Sequence, residues 1–158
     1  LIMTAPVRPF ALYAAKFCVV AKMALLTQIW LLVLFLIGGK LGAGLTGFPP
    51  PEILLWLLRG AVGGLPIIAV QLFLSMVIRN FALPVLMALG GSILGLMATT
   101  ANAGLFWPYS LMLMGMNSNR TEDVMTGQLP GFFLSCIVFL AIFLLIANVV
   151  LARQDVKA

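Results

Sequence analysis

A chain of 158 residues that is 63% hydrophobic and only 8% charged cannot hide its apolar surface inside a water-soluble fold, since soluble domains run at roughly 45–50% apolar and about 25% charged. With a mean hydropathy of +1.20, the composition selects a polytopic membrane protein. The net charge of +5 then reads as basic residues held at the cytoplasmic membrane surface, not as a nucleic-acid partner.

The chain opens with "LIMTAPVRPFALYAAK", a basic segment with two prolines and no acid. No cleavable signal peptide is expected, because the first long apolar stretch exceeds a signal h-region. Charge-free stretches cover residues 23–39, 60–78, 80–119 and 124–152. A membrane helix needs roughly 20 residues, so spans are predicted at 19–39, 57–78, 82–104 and 130–151, with Lys22 snorkelling beside the first. The fold class is therefore all-α, one transmembrane domain of four helices over residues 1–158, with 1–18 at the cytoplasmic face.

The connections differ in character. "GLTGFPPPE" at 44–52 cannot be helical through three consecutive prolines and forms a stiff external link. "RNFALP" at 79–84 is a short turn, with Pro84 in the first turn of the next helix, where N–H groups lack partners anyway. Residues 104–131 begin with an aromatic belt of Phe106, Trp107 and Tyr109, stay apolar through Met116, and then turn polar. That pattern suits a re-entrant or interfacial external segment, 105–129, better than a plain loop.

Basic residues at span ends set the orientation. With a cytoplasmic N-terminus, Arg8, Lys16, Lys22, Arg79, Arg153 and Lys157 lie inside with one acid, Asp155, and Lys40, Arg59 and Arg120 lie outside beside Glu52, Glu122 and Asp123. The basic excess inside predicts that both termini are cytoplasmic.

Small residues recur at four-residue spacing in Gly38/Gly42, Gly60/Gly64 and Gly91/Gly95, with Ala88/Ser92 beside the last pair. In lipid such pairs permit close backbone approach, either within one bundle or across a subunit seam. Arg59 interrupts an apolar helix, "ILLWLLRGAVGGLP", and an intramembrane Arg costs roughly 2.5–3.5 kcal/mol on insertion scales. Two readings fit: snorkelling outward or reaching Glu52, and a role at an external substrate vestibule. Gln71 and Ser75 share a face of the second span, and Thr99, Thr100 and Asn102 come late in the third. These groups either hydrogen-bond between helices or line a polar path, with Arg59, Gln71, Ser75 and Asn102 as the path candidates.

Chemistry by this chain itself is not expected. The sequence has no histidine, which removes the commonest metal ligand and general base. Its acids are few and sit at predicted surfaces, and no G-x-x-x-x-G-K-[ST] phosphate loop occurs. Neither a catalytic site nor a metal site is predicted. Cys18 and Cys136 read as small buried hydrophobes. "NRT" at 119–121 matches a glycosylation sequon, a pattern frequent by chance.

The order of these pieces resembles the ABC-2 type permeases, the membrane subunits of ATP-binding-cassette transporters. The resemblance rests on "LIMTAPVRPFALYAAKF" at 1–17, "LPIIAVQLFLSMVIRNFALPVLMALGGSILGL" at 65–96 and "FWPYSL" at 106–111. Within that family the chain is most similar to small permeases of lantibiotic immunity and bacitracin-type peptide resistance. The resemblance implies a bacterial cytoplasmic-membrane subunit that exports an amphipathic peptide or lipid-like compound. It would act as a homo- or heterodimer, energised by separate ATPase subunits that carry ATP and Mg, with no cofactor of its own.

By position, the resemblance assigns ATPase coupling to Thr4, Ala5, Pro6, Val7 and Arg8, with Ala5 where many relatives have Ser or Pro. The four spans would match helices three to six of a six-helix permease, so a chain cut within an internal loop is expected. Two other readings compete with the permease. A non-transporting scaffold would use its glycine faces only for packing, and a small channel would need a polar stripe along a whole span, which none of the four has.

Overall fold

The computed structural model of the chain describes residues 9–44, 46–47, 50–118, 122–123 and 125–155, with side chains between 10 and 151. Four helices are long and apolar enough to cross a membrane. They are α1 (Pro9–Ile37), α2 (Glu52–Val77), α3 (Ala82–Thr100) and α5 (Leu129–Asp155), with a short α4 (Leu111–Gly115) between α3 and α5. No strand occurs among the described residues. The expected all-α, four-span class is the observed one.

Local chemistry sets the boundaries. α1 is helical already at Pro9, the first described residue, ten residues ahead of the expected span, and a lysine's long stem lets Lys16 and Lys22 stay within it. It then runs into a π-helical turn, Gly38–Gly42, in which Ala43 N–H reaches back to the Gly38 carbonyl at 3.1 Å.

The triple proline ends as α2 begins. The carbonyls of Pro50 and Pro51 accept from Ile53 and Leu54 N–H at 3.1 and 3.2 Å, and Glu52 places a negative charge at the positive end of the helix dipole. Asn80 Oδ1 accepts the Ala82 N–H at 2.9 Å at the start of α3. α3 stops at Thr100 instead of 104 because Asn102 takes a left-handed conformation, φ 57°, which ends a helix as glycine commonly does. Asn117, φ 50°, ends α4 in the same way.

α2 is the hub. It packs on α1, α3, α4 and α5, and α1 also meets α5. Two apolar clusters form at opposite ends of this hub. Tyr13, Ala147 and Leu151, with Leu72, Phe73 and Met76, join α1, α2 and α5 at one end. There Tyr13 also donates its hydroxyl to the Ala69 carbonyl at 2.8 Å. Leu111, Met114, Met125, Phe132 and Cys136, with Val62, close α4 onto α2 and α5 at the other.

α3 stands apart, with Leu86, Leu89 and Met97 each about 60% exposed. In water such a face would be untenable, whereas in lipid tails it costs nothing. Cys18 belongs to an outer face of this kind and is exposed, not buried as expected, while Cys136 is buried; both thiols are free.

Candidate functional site

Residues 104–118 fold back against α2 and α3 instead of crossing above them. A 3-10 turn (Gly104–Phe106) and α4 carry this segment, and Ser110, fully buried, ties it together by reaching the carbonyls of Gly104 and Trp107. Glycines make the seat. A Cβ on Gly63 would stand 2.5 Å from the Leu111 carbonyl oxygen, and one on Gly91 would stand 2.7 Å from the Tyr109 ring. A Cβ on Gly95 would meet the Ser110 nitrogen at 3.0 Å, and one on Gly115 would stand 2.6 Å from the Arg59 carbonyl oxygen. Gly60 is filled by the Met116 side chain. Backbone thus lies on backbone, the approach that small residues allow in apolar surroundings.

The predicted small-residue pairs divide accordingly. Gly60, Gly91 and Gly95 seat the folded-in segment. Gly64 only touches Met112 at 3.9 Å, and Gly38 and Gly42 face open space. Gly63, which the four-residue rule passed over, makes the tightest backbone approach of the α2 face. Its signal was present in the sequence as a third glycine one helical turn from Gly60.

At the rim of this seat Arg59, 8% exposed, donates to Asp123 Oδ2 at 2.7 Å. The partner is neither solvent nor Glu52 but a carboxylate 64 residues away. Burial pushes the Asp123 carboxyl up, but the Arg59 hydrogen bond, the Met125 N–H and the Arg59 charge together hold it below the usual carboxylate range, with the Trp56 indole beside it. The Met125 N–H also bonds Asp123 Oδ1 at 2.9 Å, so both carboxylate oxygens are engaged. An arginine inside an apolar helix is thereby made tolerable and clamps the chain after α4 onto α2.

Deeper, Gln71 Nε2 donates to the Tyr109 hydroxyl at 2.5 Å, and the Trp107 indole donates to the Gly91 carbonyl at 2.9 Å. Gln71 lies 19 residues along α2 from Glu52, about 28 Å at 1.5 Å per residue. The aromatic belt seen in the sequence therefore does not sit at the helix ends; two of its three members reach down between α2 and α3. The third, Phe106, stays 80% exposed.

Of the path candidates, Gln71 and Ser75 share one cavity of about 620 Å³ between α1, α2 and α3, whose wall also includes Arg79 and Asn80. Ser75 also donates to the Leu72 carbonyl of its own helix at 2.8 Å. Asn102 lies exposed on the turn after α3, apart from this cavity, and Arg59 lines a separate small hollow between α2 and α5. Thr99 and Thr100 bond the carbonyls of Gly95 and Met97 in their own helix. A second cavity of about 540 Å³, with Thr27 and Gln28 in its wall, continues along α2 toward Gly60. Thr4, Ala5, Pro6, Val7 and Arg8 lie outside the described residues, as does the 119–121 sequon. Among the described residues no three His, Cys, Asp or Glu side chains gather into a metal-binding group.

Fold and site together define a polytopic α-helical membrane protein whose last connection between spans is folded in among them. Residues 1–95 match the family described as ABC-2 family transporter protein, and the chain belongs to that family. It is thus the membrane domain of an ABC transporter, a transport subunit that pairs with an ATP-binding subunit. No curated protein and no solved structure matches the chain.

Proposed function

We propose that the chain is the permease subunit of a bacterial exporter that moves an amphipathic compound, lantibiotic- or bacitracin-like peptide or lipid-like, out of the cytoplasmic membrane. A separate ATPase, holding ATP and Mg, supplies the work, and two permease subunits alternate access between the faces. The observation that carries this reading is the pair of cavities running along α2, the helix on which every other span packs. A scaffold needs no such hollow. Their walls are mostly apolar, with Thr27, Gln28, Gln71 and Ser75 interspersed, as suits a cargo with both apolar and polar parts.

The coupling segment in this reading is Thr4 to Arg8 at the cytoplasmic face, where a rigid proline and a basic side chain meet the ATPase. Co-purification of the full-length protein with its ATPase tests it. Pro6→Gly combined with Arg8→Glu is expected to abolish association while membrane insertion stays normal. Unchanged association would remove the coupling role.

A further inference from the structure

Arg79 is exposed at the end of α2, beside Asn80 and at the wall of the 620 Å³ cavity. No described residue pairs with it, and among the described residues no acidic side chain lines either cavity. Moving inward from Arg79, Ser75 and then Gln71 follow at four-residue steps on the same cavity wall. Gln71 uses its amide N–H on Tyr109 and Ser75 uses its O–H on Leu72. The Gln71 carbonyl oxygen, its second amide N–H and the lone pairs of the Ser75 hydroxyl are thus left over. Opposite them stand only apolar groups, Val20 of α1 and Val85 and Ala88 of α3. Beyond, Ile67 and Ile68 also stand in the wall of the second cavity, so the apolar lining continues along α2 past the first.

From this arrangement we infer that the groove holds one anionic lipid of the bilayer, its headgroup on Arg79 and Asn80, its glycerol region level with Ser75, and an acyl chain running past Gln71 between α1 and α2. A guanidinium with no partner among the described side chains, at the mouth of an apolar slot, attracts an anionic oxygen group and repels a cationic one. A cationic peptide is therefore excluded from this mouth. The inference rests on the permease reading and narrows its cargo to the lipid-like class.

The test uses the full-length protein in phosphatidylcholine nanodiscs carrying a trace of phosphatidic acid with a diazirine in its acyl chain, followed by irradiation and peptide mapping. Adducts are expected on Val20, Ala88 and Ile68, in excess over the lipid-exposed Leu134. Phosphatidylglycerol should compete and phosphatidylcholine should not. Arg79→Gln should lower the groove adducts about tenfold, equivalent to about 1.4 kcal/mol, and Arg79→Lys should retain most of them. Equal labelling by a diazirine phosphatidylcholine, displacement by a cationic peptide, or cross-links between two copies at these walls would each overturn the proposal. Because no ATPase takes part, a negative result here leaves the permease reading to its own co-purification test. Loss of ATPase association would not alter the labelling.

Discussion

At the scale of single residues, the Arg59–Asp123 pair is the most informative contact. A charge almost removed from solvent costs several kcal/mol unless it is paired and hydrogen-bonded, and Asp123 meets both requirements at 2.7 Å. Asp123→Asn should destabilise the protein by about 1.5–3 kcal/mol, the range for a hydrogen bond to a charged group. A double-mutant cycle with Arg59→Leu, read by thermal unfolding in detergent, should show clear coupling, and additive losses would mean the pair is idle. The pH dependence has a definite sign. The Asp123 carboxyl is held below its ordinary value of 3.8 in the folded protein, so its contribution is fully present above about pH 4 and disappears as pH falls through the lower folded value. Unfolding temperature should drop on acidification in the wild type, and less so in Asp123→Asn.

The elements raise a different matter, how a polar-ended loop can lie among apolar helices. Glycine answers it by letting backbone meet backbone. Gly63→Ala would drive a methyl group to 2.5 Å from the Leu111 carbonyl, an overpacking that costs typically about 1–3 kcal/mol. Gly64→Ala and Gly38→Ala meet open or nearly open space, where alanine improves helix propensity by up to about 1 kcal/mol. Thermal stability should therefore fall for Gly63→Ala and hold or rise for the other two. A uniform response across the three would show that glycine spacing, and not the folded-in segment, sets the packing. The spacing pattern pointed to Gly60, Gly91 and Gly95 but gave equal weight to Gly38 and Gly42. Only the partner surface distinguishes them, and that partner is remote in sequence.

For the whole molecule, the arrangement of charge predicts the topology. Lys16, Lys22 and the 78–81 turn with Arg79 lie toward one end of the bundle, and Pro51, Glu52 and Asp123 toward the other. With the first end cytoplasmic, a cysteine placed at Asn80 should be closed to a membrane-impermeant maleimide in intact cells, and one at Glu52 should be open. The reverse pattern would invert the predicted orientation and move the Arg79 mouth to the outer leaflet.

Helix number, helix type and membrane residence were legible in the sequence alone. They follow from apolar run length and from the rule that every backbone group in lipid must bond within its own segment, which are local properties. The stops at Asn102 and Asn117 are local too, though finer than a hydropathy reading. The depth of residues 104–118, the choice of Asp123 over Glu52 for Arg59, and the meeting of Gln71 with Tyr109 were decided only by the tertiary structure. The reason is physical: a lipid-embedded chain is apolar on nearly every helix face, so its pattern cannot say which face meets which. That choice falls to the few places where glycine leaves room and a polar group, unable to turn to water, must find another.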